Sequence, residues 1–150
     1  MKKLMVITIL AVLVFTGNTF AQDKKLGLGI IVGEPTGLSG KYWLSDTTAV
    51  DAAAAWSFDG DNEVQIHADY LWHKLDLITI SNHQVPLYYG LGGRIKFADD
   101  TKVGLRIPVG LTWMIPKTHI DVFGEVAPIM DLAPDTDFHL NAAIGARFYF

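Results

Sequence analysis

The stretch Phe138 to Phe150, F-H-L-N-A-A-I-G-A-R-F-Y-F, constrains the chain more than any other. Every second residue, from Phe138 through Leu140, Ala142, Ile144, Ala146 and Phe148 to Phe150, is apolar. His139, Asn141, Ala143, Gly145, Arg147 and Tyr149 alternate with them and are small, polar or charged. Strand side chains point alternately to two faces, so the pattern predicts one long strand with an apolar side and a wet side. A strand of this length needs partners, and its edge is a hazard unless the sheet closes on itself.

The rest of the chain shows little helical period. It repeats by two, with turn signals at fairly even spacing. The alternation predicts further strands over 26–33, 38–44, 48–58, 63–73, 85–97, 103–114 and 120–130, eight in all. The alanines at 52–55 favour helix on propensity alone. Trp56, Phe58 and the D-G-D-N turn at Asp59 to Asn62 favour a hairpin instead. Lys74 to Gln84 holds Leu75, Leu77, Ile78 and Ile80 without one clean register, and it reads as a long connection. Most strands approach the roughly 9–11 residues that a tilted membrane strand needs. Aromatic residues sit near the ends of the apolar rows, among them Tyr42, Trp56, Phe58, Trp72, Tyr89, Phe97, Trp113 and Phe138. Interfacial girdles lie at such positions. The expected fold is all-β: a closed antiparallel up-and-down transmembrane β-barrel of eight strands. Pro108 and Pro128 oppose it, because a closed barrel has no free edge to accommodate a missing N–H. Each is expected at a bulge or near a rim.

The amino terminus reads as an address. Lys2 and Lys3 precede an apolar run from Leu4 to Phe15, and small residues at Thr19 and Ala21 precede Gln22. This is the pattern of a secretory signal over 1–21, cleaved after Ala21, with the barrel over 22–150. The apolar run is short for a retained anchor. The chain has no cysteine, so neither a disulfide nor thiol chemistry is available. Without Lys2 and Lys3, ten basic residues face sixteen acidic ones, which argues against a nucleic-acid partner. No later apolar stretch approaches the roughly 20 residues of a membrane helix, so a membrane-embedded chain would have to be a closed barrel.

The signal, the alternating strands and the terminal Arg147-Phe148-Tyr149-Phe150 resemble small bacterial outer-membrane barrels of the OmpX and OmpA type. The resemblance implies that Phe148 and Phe150 form the assembly signal read by the barrel assembly machinery. More narrowly, G-E-P-T-G-L-S-G-K-Y-W-L (Gly33 to Leu44) and D-V-F-G-E-V-A-P (Asp121 to Pro128) look like an uncharacterised outer-membrane barrel family with no assigned activity. The short connections depart from the adhesive OmpX pattern.

The wet row carries Lys41, Arg94, Lys96, Arg106 and Arg147 against Asp51, Glu63, Asp69, Asp121 and Glu125, five bases facing five acids. An eight-stranded barrel is just wide enough for side chains to fill it. These ten residues therefore read as an internal charge network, since buried charges demand partners. A narrow pore is the sharper alternative. His67, Asp69 and His73 are metal-ligand types, but spacings of two and six residues are roughly 7 and 20 Å along a strand, too far for one ion on all three. No metal and no cofactor are expected. Ser39, Ser45, Ser57 and Ser81 share no outer row with a histidine, and His83 and His119 lie in connections, so no nucleophile–base pair is apparent. Gly90 to Gly93, G-L-G-G, lies inside a strand with no helix after it and is not a phosphate loop.

The expected function is that of an integral outer-membrane barrel with a structural or interaction role, without catalysis. Its partners would be outer-membrane lipid and the assembly machinery, and it would be a monomer. The alternative from another class is a soluble periplasmic lipocalin-like barrel around an apolar ligand, with the two faces exchanged. Alternation alone cannot tell inside from outside.

Overall fold

The computed structural model describes residues 25–34, 36–56 and 63–150. The expected signal at 1–21, the turn at 59–62 and the third strand beyond Trp56 lie outside the described residues. The strands are β1 (Leu26–Gly33), β2 (Gly37–Trp43), β3 (Thr48–Trp56), β4 (Val64–Lys74), β5 (Thr79–Ile80), β6 (His83–Gln84), β7 (Leu87–Phe97), β8 (Thr101–Arg106), β9 (Val109–Met114), β10 (Ile120–Ala133) and β11 (Asp137–Tyr149). Among the described residues no helix is long and apolar enough to cross a membrane.

Each strand of the main sheet is antiparallel to its neighbours, and the pairing returns to its start. β1 pairs with β2 on one side and with β11 on the other, and β11 pairs in turn with β10. β8 and β9 both lie between β7 and β10, as two halves of one stave. The ring is therefore an eight-staved up-and-down barrel. Phe150 N–H donates to the Leu26 carbonyl at 3.0 Å, so both ends of the barrel chain lie at the same end of the cylinder. The 75–86 connection at that end carries β5 and β6, a small hairpin turned by Ser81 and Asn82, both with positive φ. Two such residues make the tight turn whose twist suits a two-residue hairpin loop.

The sixth strand is not continuous, and the cause is the two prolines acting on one stave. The flanking pairs Ile129↔Arg106 and Val126↔Val109 set Pro128 opposite Ile107. Ile107 N–H donates to the Pro128 carbonyl at 3.0 Å, and proline has no N–H for the return bond. On the other side, Gly92↔Arg106 and Tyr89↔Val109 set Pro108 opposite Gly90. Gly90 N–H donates to the Pro108 carbonyl at 2.9 Å, and again nothing returns. One bond is thus missing on each flank of Ile107–Pro108, and the stave splits there. Neither proline sits at a bulge as expected; the irregularity in β10 lies between Asp131 and Ala133.

The faces sort by chemistry. Ile30, Ile66, Leu91, Leu105, Leu111 and Ile144 point outward and are exposed. Outward aromatics gather at both ends: Tyr42, Trp72, Tyr89, Trp113, Phe148 and Phe150 near the chain termini, and Trp56, Phe97 and Phe138 at the far end. Lys41, Asp51, Asp69, Arg94, Arg106, Asp121, Glu125 and Arg147 are buried inside. Ile31, Ala53, Leu71, Tyr88, Phe123 and Ala143 complete the filling. The facing is the inverse of a lipocalin-like barrel.

Candidate functional site: the ionic lumen

The centre of the lumen is Arg106, whose side chain is 0% exposed. Its Nε lies 2.9 Å from Asp69 Oδ1, and one terminal nitrogen lies 2.6 Å from Glu125 Oε2. The other terminal nitrogen lies 3.3 Å from His67 Nδ1. Tyr88 donates its hydroxyl to Glu125 Oε1 at 3.1 Å. These residues come from β4, β7, β8 and β10 and meet because the ring closes around them. Arg106 reaches Asp69 across β7, where the strand offers only Gly92 to both neighbours. A Cβ on Gly92 would collide with Asp69. Gly110 plays the same part beside Glu125, since a Cβ there would collide with the Tyr88 ring. Large charged side chains from adjacent staves fit because glycine stands between them.

A second cluster surrounds Arg147. Its Nε donates to Ser39 Oγ at 3.0 Å, and its terminal nitrogens lie 3.4 Å from Asp51 Oδ2 and 3.9 Å from Asp121 Oδ2. Its guanidinium stands 3.8 Å over the Phe123 ring. Tyr149 donates to Asp121 Oδ2 at 2.8 Å. Toward the termini, Lys41 Nζ lies 2.8 Å from His73 Nε2 and 4.2 Å from the centre of the Trp43 ring. Toward the far end, Arg94 bonds Asp131 with two nitrogens, at 2.8 and 2.9 Å from one of them, and His139 Nε2 lies 3.1 Å from Asp131 Oδ2.

Of the ten residues expected in the network, eight are buried in the lumen. Glu63 and Lys96 are separate: they pair with each other at 2.9 Å, with side chains 30% and 26% exposed, near the far mouth. Asp131 joins the interior instead. The alternation predicts that strand only as far as Met130, one residue short, although the inner parity of Asp121, Phe123 and Glu125 runs on to Asp131. Tyr88, Tyr149, Ser39 and Thr112 lie likewise on the inner row but carry no charge, and so stand outside a network drawn from charges alone. The balance inside is therefore four bases, Lys41, Arg94, Arg106 and Arg147, against five acids, Asp51, Asp69, Asp121, Glu125 and Asp131, among the described residues.

Register also places Asp51 directly opposite Asp69. Ligand atoms of Asp51, His67 and Asp69 all lie within 4.8 Å of one another. His73, the third metal-ligand type on that strand, is engaged by Lys41 instead. The serine hydroxyls of Ser39 and Ser45 are held by Arg147 and Thr48. An open recess of 480 Å³ lies at the terminal end, between Trp72 and Tyr89 on the wall and Leu77 of the 75–86 connection.

No family model matches the chain, and no curated protein matches it. The narrower likeness carried by Gly33 to Leu44 and Asp121 to Pro128 thus has no matching family description. Among solved structures, the chain is similar to the N-terminal β-barrel domain of OprF from Pseudomonas aeruginosa, with a TM-score of 0.57. The match is 14% identical and covers 83% of this chain and 94% of that domain. At that identity the likeness is one of fold, the small eight-stranded barrel.

Proposed function

We propose that this chain is an integral outer-membrane β-barrel protein with a structural or interaction role, a lumen filled by its ion pairs, and no catalysis. The observation that carries the reading is the outer belt. Isoleucine, leucine, valine and aromatic side chains face outward all round a closed cylinder and remain exposed. Contiguous apolar surface of that extent is not tolerated by a monomer in water, and marks a surface made for lipid or a partner. Closure also satisfies the backbone, which hydrocarbon requires of any spanning sheet. The aromatic ends of the belt suit the two interfaces. The fold shared with the OprF barrel domain supports the same address. Outer-membrane lipid is then the principal partner, and assembly would use Phe148 and Phe150, outward on the last strand. The connections at 98–100 and 134–136 are short, which leaves the 75–86 connection as the longest excursion among the described residues.

Fractionation tests the address: the protein is expected in the outer-membrane pellet, released by detergent. Recovery from the soluble periplasmic pool would refute it. Planar-bilayer recording of refolded protein tests the filling. No discrete conductance is expected, because Arg106, Arg147 and Tyr88 occupy the cross-section. Stable unitary steps would favour a narrow pore.

A further inference from the structure

Among the described residues the lumen has one more carboxylate than it has lysines and arginines, and the surplus has a place. Asp51 and Asp69 face each other from adjacent staves, 4% and 3% exposed. Asp51 Oδ1 and both oxygens of Asp69 accept no hydrogen bond. Asp51 Oδ2 accepts from Arg147, and Asp69 has the ion pair with Arg106 and, at the longer distance of 3.8 Å, His67 Nε2 beside it. Buried carboxylate oxygens without donors are costly, and two carboxylates side by side add repulsion. A single positive charge between them would relieve both.

The surroundings restrict what that charge is. The Arg106 guanidinium only donates, so His67 Nδ1, 3.3 Å from it, is the acceptor and the ring proton sits on Nε2. Nε2–H faces Asp69 Oδ2 at 3.8 Å, and a protonated nitrogen is no metal ligand. The site is therefore made of carboxylate oxygens, which select hard cations and not zinc or copper. Arg106 and Arg147 flank it, so a divalent ion would overshoot the deficit of one. Separations within 4.8 Å can be bridged by one ion with metal–oxygen distances of about 2.4 Å. We infer that Asp51 and Asp69 form a binding site for one small monovalent cation, of sodium or potassium size, inside the barrel wall.

The test is thermal unfolding of the refolded protein in detergent at constant ionic strength. The chlorides of sodium, potassium and N-methylglucamine are compared, the last being too bulky to enter. Sodium or potassium is expected to raise the midpoint over N-methylglucamine by about 4 °C. The increment is expected to vanish in Asp51→Asn and in Asp69→Asn, where one carboxylate becomes neutral. Sodium-23 line broadening by the folded wild-type protein, lost on unfolding in urea, reads the site without a variant. Equal midpoints in all three salts with no broadening would overturn the site, leaving a proton shared by the pair. An increment that persists undiminished in both variants would overturn it too, since it would then arise elsewhere on the surface. Neither result bears on whether the barrel spans a membrane.

Discussion

Arg106 and Lys96 lie on inward-facing rows of neighbouring staves, and each pairs with carboxylate at close to 2.9 Å. Their surroundings differ. Arg106 and its partners are 0–4% exposed in mid-lumen, whereas Lys96 and Glu63 are 26% and 30% exposed at the mouth. Water at the mouth screens the pair and solvates either member when the other is lost. In mid-lumen, loss of one partner strands a charge that nothing else can solvate. The contact distance is therefore a poor guide to what an ion pair does here, and depth in the barrel is a good one.

The largest effect is expected from Arg106→Ala, which takes from Asp69 and Glu125 the one cation they share. It should lower stability by about 3–5 kcal/mol, read from urea unfolding in detergent and from heat-modifiable gel mobility. A cost no larger than that of Lys96→Ala would break the comparison. Arg147→Ala comes next, at about 2–4 kcal/mol. Its ion pairs are longer, and Asp121 keeps the Tyr149 hydroxyl. An unaltered midpoint would mean that Arg147 is solvated by open water. Gly110→Val sharpens the role of space: the added side chain meets both the Gly124 carbonyl oxygen and the Tyr88 ring, and an overpacked interior should cost about 1–3 kcal/mol. If instead Gly110→Val is neutral, both Tyr88 and the β10 backbone have room to move and the barrel is looser than the distances imply. Lys96→Ala is the smallest, below about 1 kcal/mol and shrinking further as salt is added.

Much of this was legible in alternation alone. Leu26 to Gly33 carries its strand bounds on its face, because Gly33 and the turn residues after it end the period. The inner rows of β4 and β7 are likewise as the sequence sorts them, with His67 and Asp69 on one and Tyr88 and Arg94 on the other. Other features were not. Pro108 breaks its stave because Pro128 removes a bond from the opposite flank of the same two residues, and that conjunction depends on the register between β9 and β10. Asp131 stays on the inner row beyond the apparent strand end because β11 still pairs with β10 there, with Asp137 opposite Asp131.

By itself the sequence determined eight staves, two rows and the membership of each row within the strand ends it marks, since side-chain direction on a strand follows from counting by twos. It did not determine which row turns inward, because the alternation reads the same either way round. Nor did it choose partners. Arg147 meets Asp51 across 96 residues of chain, and Arg94 meets Asp131 across 37. Closure and register bring such pairs together, and both are properties of the assembled ring rather than of any segment. The tertiary structure decided those matters because buried charges must be matched in space, whatever their order along the chain.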